Sequence, residues 1–195
     1  MPMPWEKSYS DADVLERAMR AFWTRGYEAT SMSDLVAATG INRGSIYAAY
    51  TNKHRLFIEA LRHYDRVHRA EFLTRIGEEN SPREAILAAF ESAARGTGSD
   101  GSPAGCLLVN TALELSPHDE EVRDFVDAAL RQVEDFFFDN IEAAQRDGTV
   151  NKTIDARPAA QALLGLFLGL RVLTRSKPRR QAIDAITSQA RTMLE

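Results

Sequence analysis

Cysteine is nearly absent from this chain: Cys106 is the one instance in 195 residues. That excludes an intrachain disulfide and any cysteine-cluster metal site. Histidine is sparse, with four residues. His63, His68 and His118 do not fall into a ligand spacing and read as solvated side chains. Long apolar runs are missing as well. The most apolar stretch, Ala162 to Leu170, reaches Arg171 after nine residues, whereas a membrane span needs about 20. The N-terminus, MPMPWEKSYS, lacks an apolar core of signal-peptide length, so the cytoplasm is the expected compartment. No Gly-rich phosphate loop, paired carboxylates, metal spacing or nucleophile–base motif is visible, so neither catalysis nor a cofactor is expected.

Period-two alternation is scarce too, whereas apolar residues recur with a period near 3.6, so the chain reads as all-α. Hydrophobic residues make up 44% and charged residues 27%, enough to bury a sizeable core in a soluble globular protein. The net charge of −4 argues at first against a nucleic-acid partner. Its distribution changes the picture. Residues 1–69 carry ten Lys/Arg against eight Asp/Glu, so the acidic excess belongs to the remainder. A mildly basic N-terminal third on an acidic remainder leaves a nucleic-acid partner open, through a few placed contacts rather than a broad basic patch.

The stretch from Ala29 to Phe57 carries the most chemistry. Ser31 with Asp34 three residues on makes a near capping box, so a helix should start at about Met32. Met32, Leu35, Val36 and Thr39 share a face of it. Gly40 stops that helix, as a residue that tolerates positive φ. Ile41 plugs the turn into the core. Asn42 caps the next helix, about Arg43 to Ala49, too short to stand alone and held by Ile46 and Tyr50. Arg43, Gly44 and Ser45 then occupy its first turn, where a recognition helix meets base edges. Arg43 can read guanine or grip phosphate. Gly44 allows close backbone approach, and Ser45 and Tyr47 can donate to phosphates or bases. Asn52 caps a further helix, which places Lys53 in its first turn beside unpaired N–H groups, a phosphate site. Alternatives stand for two of these: Tyr47 as a core aromatic and Lys53 as an ordinary solvated lysine.

This run resembles a TetR-family transcriptional regulator. The resemblance lies in Ala21-Phe22-Trp23, Gly26-Tyr27-Glu28-Ala29-Thr30-Ser31, Gly40-Ile41, Gly44-Ser45-Ile46-Tyr47, Tyr50 and Asn52-Lys53. Val36 and Thr39 stand where the family usually has alanine, and Tyr50 where it usually has phenylalanine. The resemblance implies a homodimer on a palindromic double-stranded DNA operator, released when a second helical domain takes up a small-molecule effector. The domains are expected at 1–55, helix-turn-helix, and 56–195, effector binding and dimerisation.

About nine helices are expected. The first runs from about Asp11 to Thr24, and the helix-turn-helix pair follows. A long fourth spans about Lys53 to Ile76. The fifth covers Pro82 to Arg95, and Gly96 to Pro103 is a flexible loop by composition. The rest lie at about Ala104–Leu115, Asp119–Arg146, Ala156–Thr174 and Pro178–Met193.

The resemblance places the effector pocket between the fourth and eighth helices. Candidate linings are Tyr64 and His68, one turn apart; Cys106, Asn110 and Glu114, on one face; Phe137 from the Phe136–Phe138 run; and Phe167 with Arg171. Core aromatics with satisfied polar groups are the competing reading for each. The dimer candidates are Leu163, Leu166 and Leu170 in the eighth helix, beside Gly165 and Gly169, with Ile183 and Ile186 in the ninth; intramolecular core is the alternative. Cys106 has two readings. A thiol at a helix N-terminus tends toward thiolate, as in an oxidant or electrophile sensor, or it packs as a small apolar residue.

Overall fold

The computed structural model describes residues 10–96, 105–176 and 180–195, and these are helical without a strand. The expected N-terminal segment, most of the Gly-rich loop and the start of the last helix lie outside the described residues. The chain divides into two compact units, residues 1–64 and 65–195.

The first unit holds α1 (Asp11–Arg25), α2 (Met32–Thr39), α3 (Arg43–Tyr50) and α4 (Lys53–Tyr64). Its core is a set of aromatic and aliphatic groups at helical spacing: Val14, Ala18, Met19, Phe22 and Trp23 from α1, then Leu35, Ile46, Leu56, Phe57 and Leu61. Phe22 meets Phe57 edge-on at 5.0 Å, and Trp23 meets Tyr64 edge-on at 4.8 Å, geometries that the ring quadrupoles favour. His63 overturns the expectation of a solvated histidine. It is buried, and its Nε2 lies 3.1 Å from Glu16 Oε2. A polar ring in a core needs such a partner.

The second unit begins with a surprise. Helical hydrogen bonding continues past Tyr64, but Asp65–Ala70 takes the π register before α5 (Glu71–Glu79). The long fourth helix expected from the sequence is therefore three stretches in one helical run. Arg69 is buried there. It donates to both oxygens of Asp65, at 2.9 Å through Nη2, and to Gln132 Oε1 at 2.6 Å.

The remaining elements are α6 (Pro82–Arg95), α7 (Leu107–Glu114), α8 (Glu120–Asp147), α9 (Ala156–Arg175) and α10 (Arg180–Thr192). Counting Lys53–Glu79 as one run, nine helical runs stand among the described residues. Helix α6 packs against α8, α9 and α10, and α8 packs along α9. Phe90, Phe137 and Phe167 form the aromatic centre of this core, with ring centroids 5.7–5.9 Å apart. By length and composition α9 is the one described helix able to cross a bilayer. Its Leu163 and Leu170 are at zero exposure inside this core, as befits a central helix of a helical bundle.

Candidate nucleic-acid interface

Ser31 opens α2 with a complete capping box: Asp34 N–H donates to Ser31 Oγ at 3.1 Å, and Ser31 N–H donates to Asp34 Oδ2 at 2.9 Å. Arg25 adds an ion pair to the same carboxylate. The Ser31 hydrogen bonds, ahead of Arg25, pull the Asp34 carboxyl from 3.8 down to about 2. Gly40 ends α2 at φ 76°, the left-handed conformation that glycine tolerates. Thr39, bulkier than the family's usual alanine, is fully buried and donates its hydroxyl back to Leu35 O at 2.6 Å.

Asn42 then caps α3, its Oδ1 accepting from Ser45 N–H at 2.9 Å. A Cβ on Gly44 would stand 3.3 Å from that same oxygen, so glycine leaves the cap uncrowded. In α3 only Ile46 is buried. Arg43, Gly44, Ser45, Tyr47, Ala48 and Ala49 are exposed. A helix of eight residues cannot hold itself in water through one buried side chain unless its caps and flanks fix it. The Asn42 cap and the packing of α3 on α2 and α4 do so. Tyr47 is 39% exposed, which removes the reading of a core aromatic. Arg43 Nη2 donates to Tyr47 Oη at 3.2 Å, and the guanidinium lies 5.5 Å from the ring centroid. Tyr50 is half-buried, and burial, then Asp11 and Glu59, push its phenol pKa up, so it stays neutral.

Thr51 joins α3 to α4 at φ 65°, ψ −48°. Asn52 N–H donates to Tyr50 O at 2.7 Å across it, a γ-turn of the rare, strained hand. Nothing in the residue type announces this. Asn52 caps α4, as the spacing predicts, with Oδ1 accepting from Arg55 N–H at 2.8 Å. Lys53 is not loosely solvated. Its ammonium sits 4.2 Å from the Tyr27 ring centroid and donates to Glu28 O at 3.5 Å. Tyr27 is thus a partner of Lys53 that the spacing arguments missed.

Residues 14–60 match the family model described as bacterial regulatory proteins, tetR family, and residues 82–190 match the tetracyclin repressor-like C-terminal domain. The chain belongs to the TetR family. These are transcriptional regulators rather than enzymes, with an N-terminal helix-turn-helix and a helical C-terminal domain. The chain is 32% identical over 145 residues to the uncharacterized HTH-type transcriptional regulator YezE of Bacillus subtilis, covering 74% of this chain and 75% of that one. It is 40% identical over 113 residues to the HTH-type transcriptional repressor ComR of Escherichia coli, covering 56% and 52%. Among solved structures it is similar to a cysteine-substituted mutant of the TetR-family regulator CifR complexed with 26-bp double-strand operator DNA. That match has a TM-score of 0.83 at 31% identity and covers 97% and 98% of the two chains.

In this TetR-family chain the effector candidates separate. Tyr64 packs in the core of the first unit, while the other seven lie in the second. Phe137 and Phe167 belong to the Phe90 aromatic centre, with Phe137 at zero exposure. Cys106 is 8% exposed and caps α7 without a side-chain cap bond. Asn110 follows it by one turn, and Arg171 lies over the Phe167 ring at 5.5 Å. A Cβ on Gly105 would stand 3.4 Å from Arg171 O, so α9 and the entry to α7 meet here. A separate open groove of about 480 Å³ lies between α6 and α10, lined by Glu91, Arg95, Arg180, Asp184 and Arg191 among others. None of the eight candidates lines it. The dimer candidates separate as well. Leu163, Leu170 and Ile183 are buried in the unit's own core, while Leu166 and Ile186 pack only partly against it. A one-residue offset on a helix turns a side chain by about 100°, enough to move the stripe from partner to core. The apolar face that α9 leaves uncovered carries Ala162, Gly165 and Val172.

Proposed function

We propose that this TetR-family regulator is a repressor that grips a palindromic operator through α3, with Arg43, Ser45 and Tyr47 at the bases and flanking phosphates. The observation that carries the reading is the exposure of these side chains on a helix whose only core residue is Ile46. Ser31, Asn42 and Tyr50 act mainly by fixing α2 and α3. Gly44 lets the backbone close on the groove. Lys53, steadied by Tyr27, meets a phosphate at the start of α4. Support comes from the 31%-identical CifR mutant, whose structure holds operator DNA. The compartment that suits such a protein is the cytoplasm. The test is anisotropy titration of operator DNA with Arg43→Ala and Tyr47→Phe. Unchanged affinity and selectivity in both would remove α3 from the contact.

A second copy covers α9 in this reading. Cβ atoms built on Gly165 and Gly169 meet nothing within 4 Å, so another helix can approach closely there. Two-fold symmetry then sets the two α3 helices about one DNA turn apart. A small molecule in the second unit shifts the balance between DNA-competent and released states, by no more than its differential affinity for the two. The helical run from Lys53 to Glu79 joins the units and carries the change.

A second reading places the sensor at the Cys106 thiol. Its support is the position at the start of α7 and the likeness to Escherichia coli NemR, solved in a reduced form, at 27% identity over 147 residues. The burial of Cys106 weighs against it, because a bulky electrophile needs α7 to open first. Oxidant-driven release of DNA that survives in Cys106→Ser would end this reading.

A further inference from the structure

Buried polar atoms almost always have a hydrogen-bond partner, and each exception calls for an explanation. In the second unit three side-chain atoms are buried with none among the described residues: Asn110 Nδ2, Ser116 Oγ and Arg171 Nε. They are not scattered. Asn110 is in α7, Ser116 follows α7 directly, and Arg171 is in α9, which packs on α7 and whose Arg175 side chain and Arg171 carbonyl lie against Gly105 at the entry to α7. Two of the three atoms are obligate donors, an amide N–H and a guanidinium N–H. A hydroxyl is the third and can turn to suit.

The geometry points to a binding site for a small organic monocarboxylate at the α7–α9 contact, anchored by Arg171 and Asn110. This rests on the reading of the chain as an effector-responsive regulator and names the chemical class of the effector. The guanidinium edge formed by Nε and its neighbouring Nη matches the two oxygens of a carboxylate bidentately. Asn110 Nδ2 supplies a further, neutral donor. The Arg171 guanidinium already lies over the Phe167 ring, so an apolar body beside the carboxylate finds an aromatic neighbour. One guanidinium and one neutral amide balance a single negative charge, which favours a monoanion over a phosphate or dicarboxylate. In the α6–α10 groove Arg180 and Arg191 are engaged with Asp184 and Glu91.

Two results are expected of the intact chain. Without ligand, the orphan donors cost stability, so Asn110→Leu and Arg171→Met should each keep or raise Tm. With ligand, a panel of monocarboxylates from acetate to naphthoate, each paired with its neutral amide, should contain acids that raise the wild-type Tm. Their amides should not, and Arg171→Met should weaken the acid by at least about tenfold, the order of one charge-assisted hydrogen bond. A clear fall in Tm of both ligand-free variants would show that these donors already serve internal partners, and would overturn the proposal. So would a panel in which no acid outperforms its amide on wild type. Operator binding is followed in parallel. Acids that bind through Arg171 yet never release DNA would leave this site standing and sink the effector-release reading instead.

Discussion

The ammonium of Lys53 rests 4.2 Å from the centre of the Tyr27 ring. The contact ties the first turn of α4 to the segment between α1 and α2. It holds a cation on a long, flexible side chain close to where α3 ends. A cation–π contact at an exposed site is worth about 0.5–1 kcal/mol, enough to bias a side chain without locking it. Lys53 can therefore turn to a phosphate at little cost. Lys53→Ala should weaken operator binding without selectivity between sequences and lower the slope of log K against log salt by about 1. Titrations at several salt concentrations measure this. An unchanged slope would mean that Lys53 does not touch DNA.

Arg43 should behave differently. It heads α3, bonded to Tyr47 at 3.2 Å, in the turn proposed to meet base edges. Arg43→Ala should lose about 1–3 kcal/mol on the preferred operator and less on a sequence altered at one base pair. Competition among operator variants reads this out. An equal loss on every sequence would reassign Arg43 to phosphate.

The capping box at α2 makes an acid-side prediction. Asp34 titrates at about 2 when folded, against an ordinary 3.8. A depressed carboxyl contributes stability that is present above the unfolded value and is lost as pH falls through the folded one. Wild type should thus lose stability between about pH 4 and pH 2 that Asp34→Asn does not lose. Thermal melts of both proteins across that window, at fixed salt, test it; parallel curves would remove Asp34 from the acid response.

Thr51 carries positive φ on a β-branched residue. Such strain costs of order 1–3 kcal/mol. Thr51→Gly should relieve part of it and raise stability by up to about 1 kcal/mol, less the extra entropy of glycine in the unfolded chain. Denaturant midpoints at unchanged slope would show it. A destabilised variant would place the Thr51 side chain in a supporting contact.

The uncovered face of α9 makes the last mutational prediction. Val172 is 48% exposed there, beyond Gly165 and Gly169. Val172→Asp should leave the helical fold intact and shift the protein toward monomer, with operator affinity falling steeply because one half-site binds alone. Sedimentation reports both mass and shape. A stable dimer in the variant would put the interface elsewhere.

Local signals made much of this legible. Ser31, Asn42 and Asn52 act through bonds to residues three positions on, so their spacing gave the caps; Gly40 announced its turn for the same reason. The face of α9 was read less well. Leu163 and Leu170 share an apolar stripe, and one stripe looks the same whether it meets the same chain or a second one. Non-local packing decided between them. The π register at Asp65–Ala70 was invisible because no glycine or proline marks it, and Arg69 is joined to Gln132 from far along the chain. Tyr27 under Lys53 and Glu16 beside His63 are long-range partners of the same kind. The α7–α9 contact was half visible: Asn110 and Arg171 stood out as polar groups on apolar helices, but that their donors go unmet needed coordinates.

The central claim is that α3 reads DNA. Anisotropy of the purified protein on labelled DNA from immediately upstream of its own gene, against random DNA of equal length at one stated salt concentration, tests it most directly. Binding should be tighter on the specific DNA by at least about a thousandfold, a margin that Arg43→Ala narrows through its loss of about 1–3 kcal/mol. Equal affinity for both DNAs at every upstream segment tried, or full selectivity in Arg43→Ala, would contradict it.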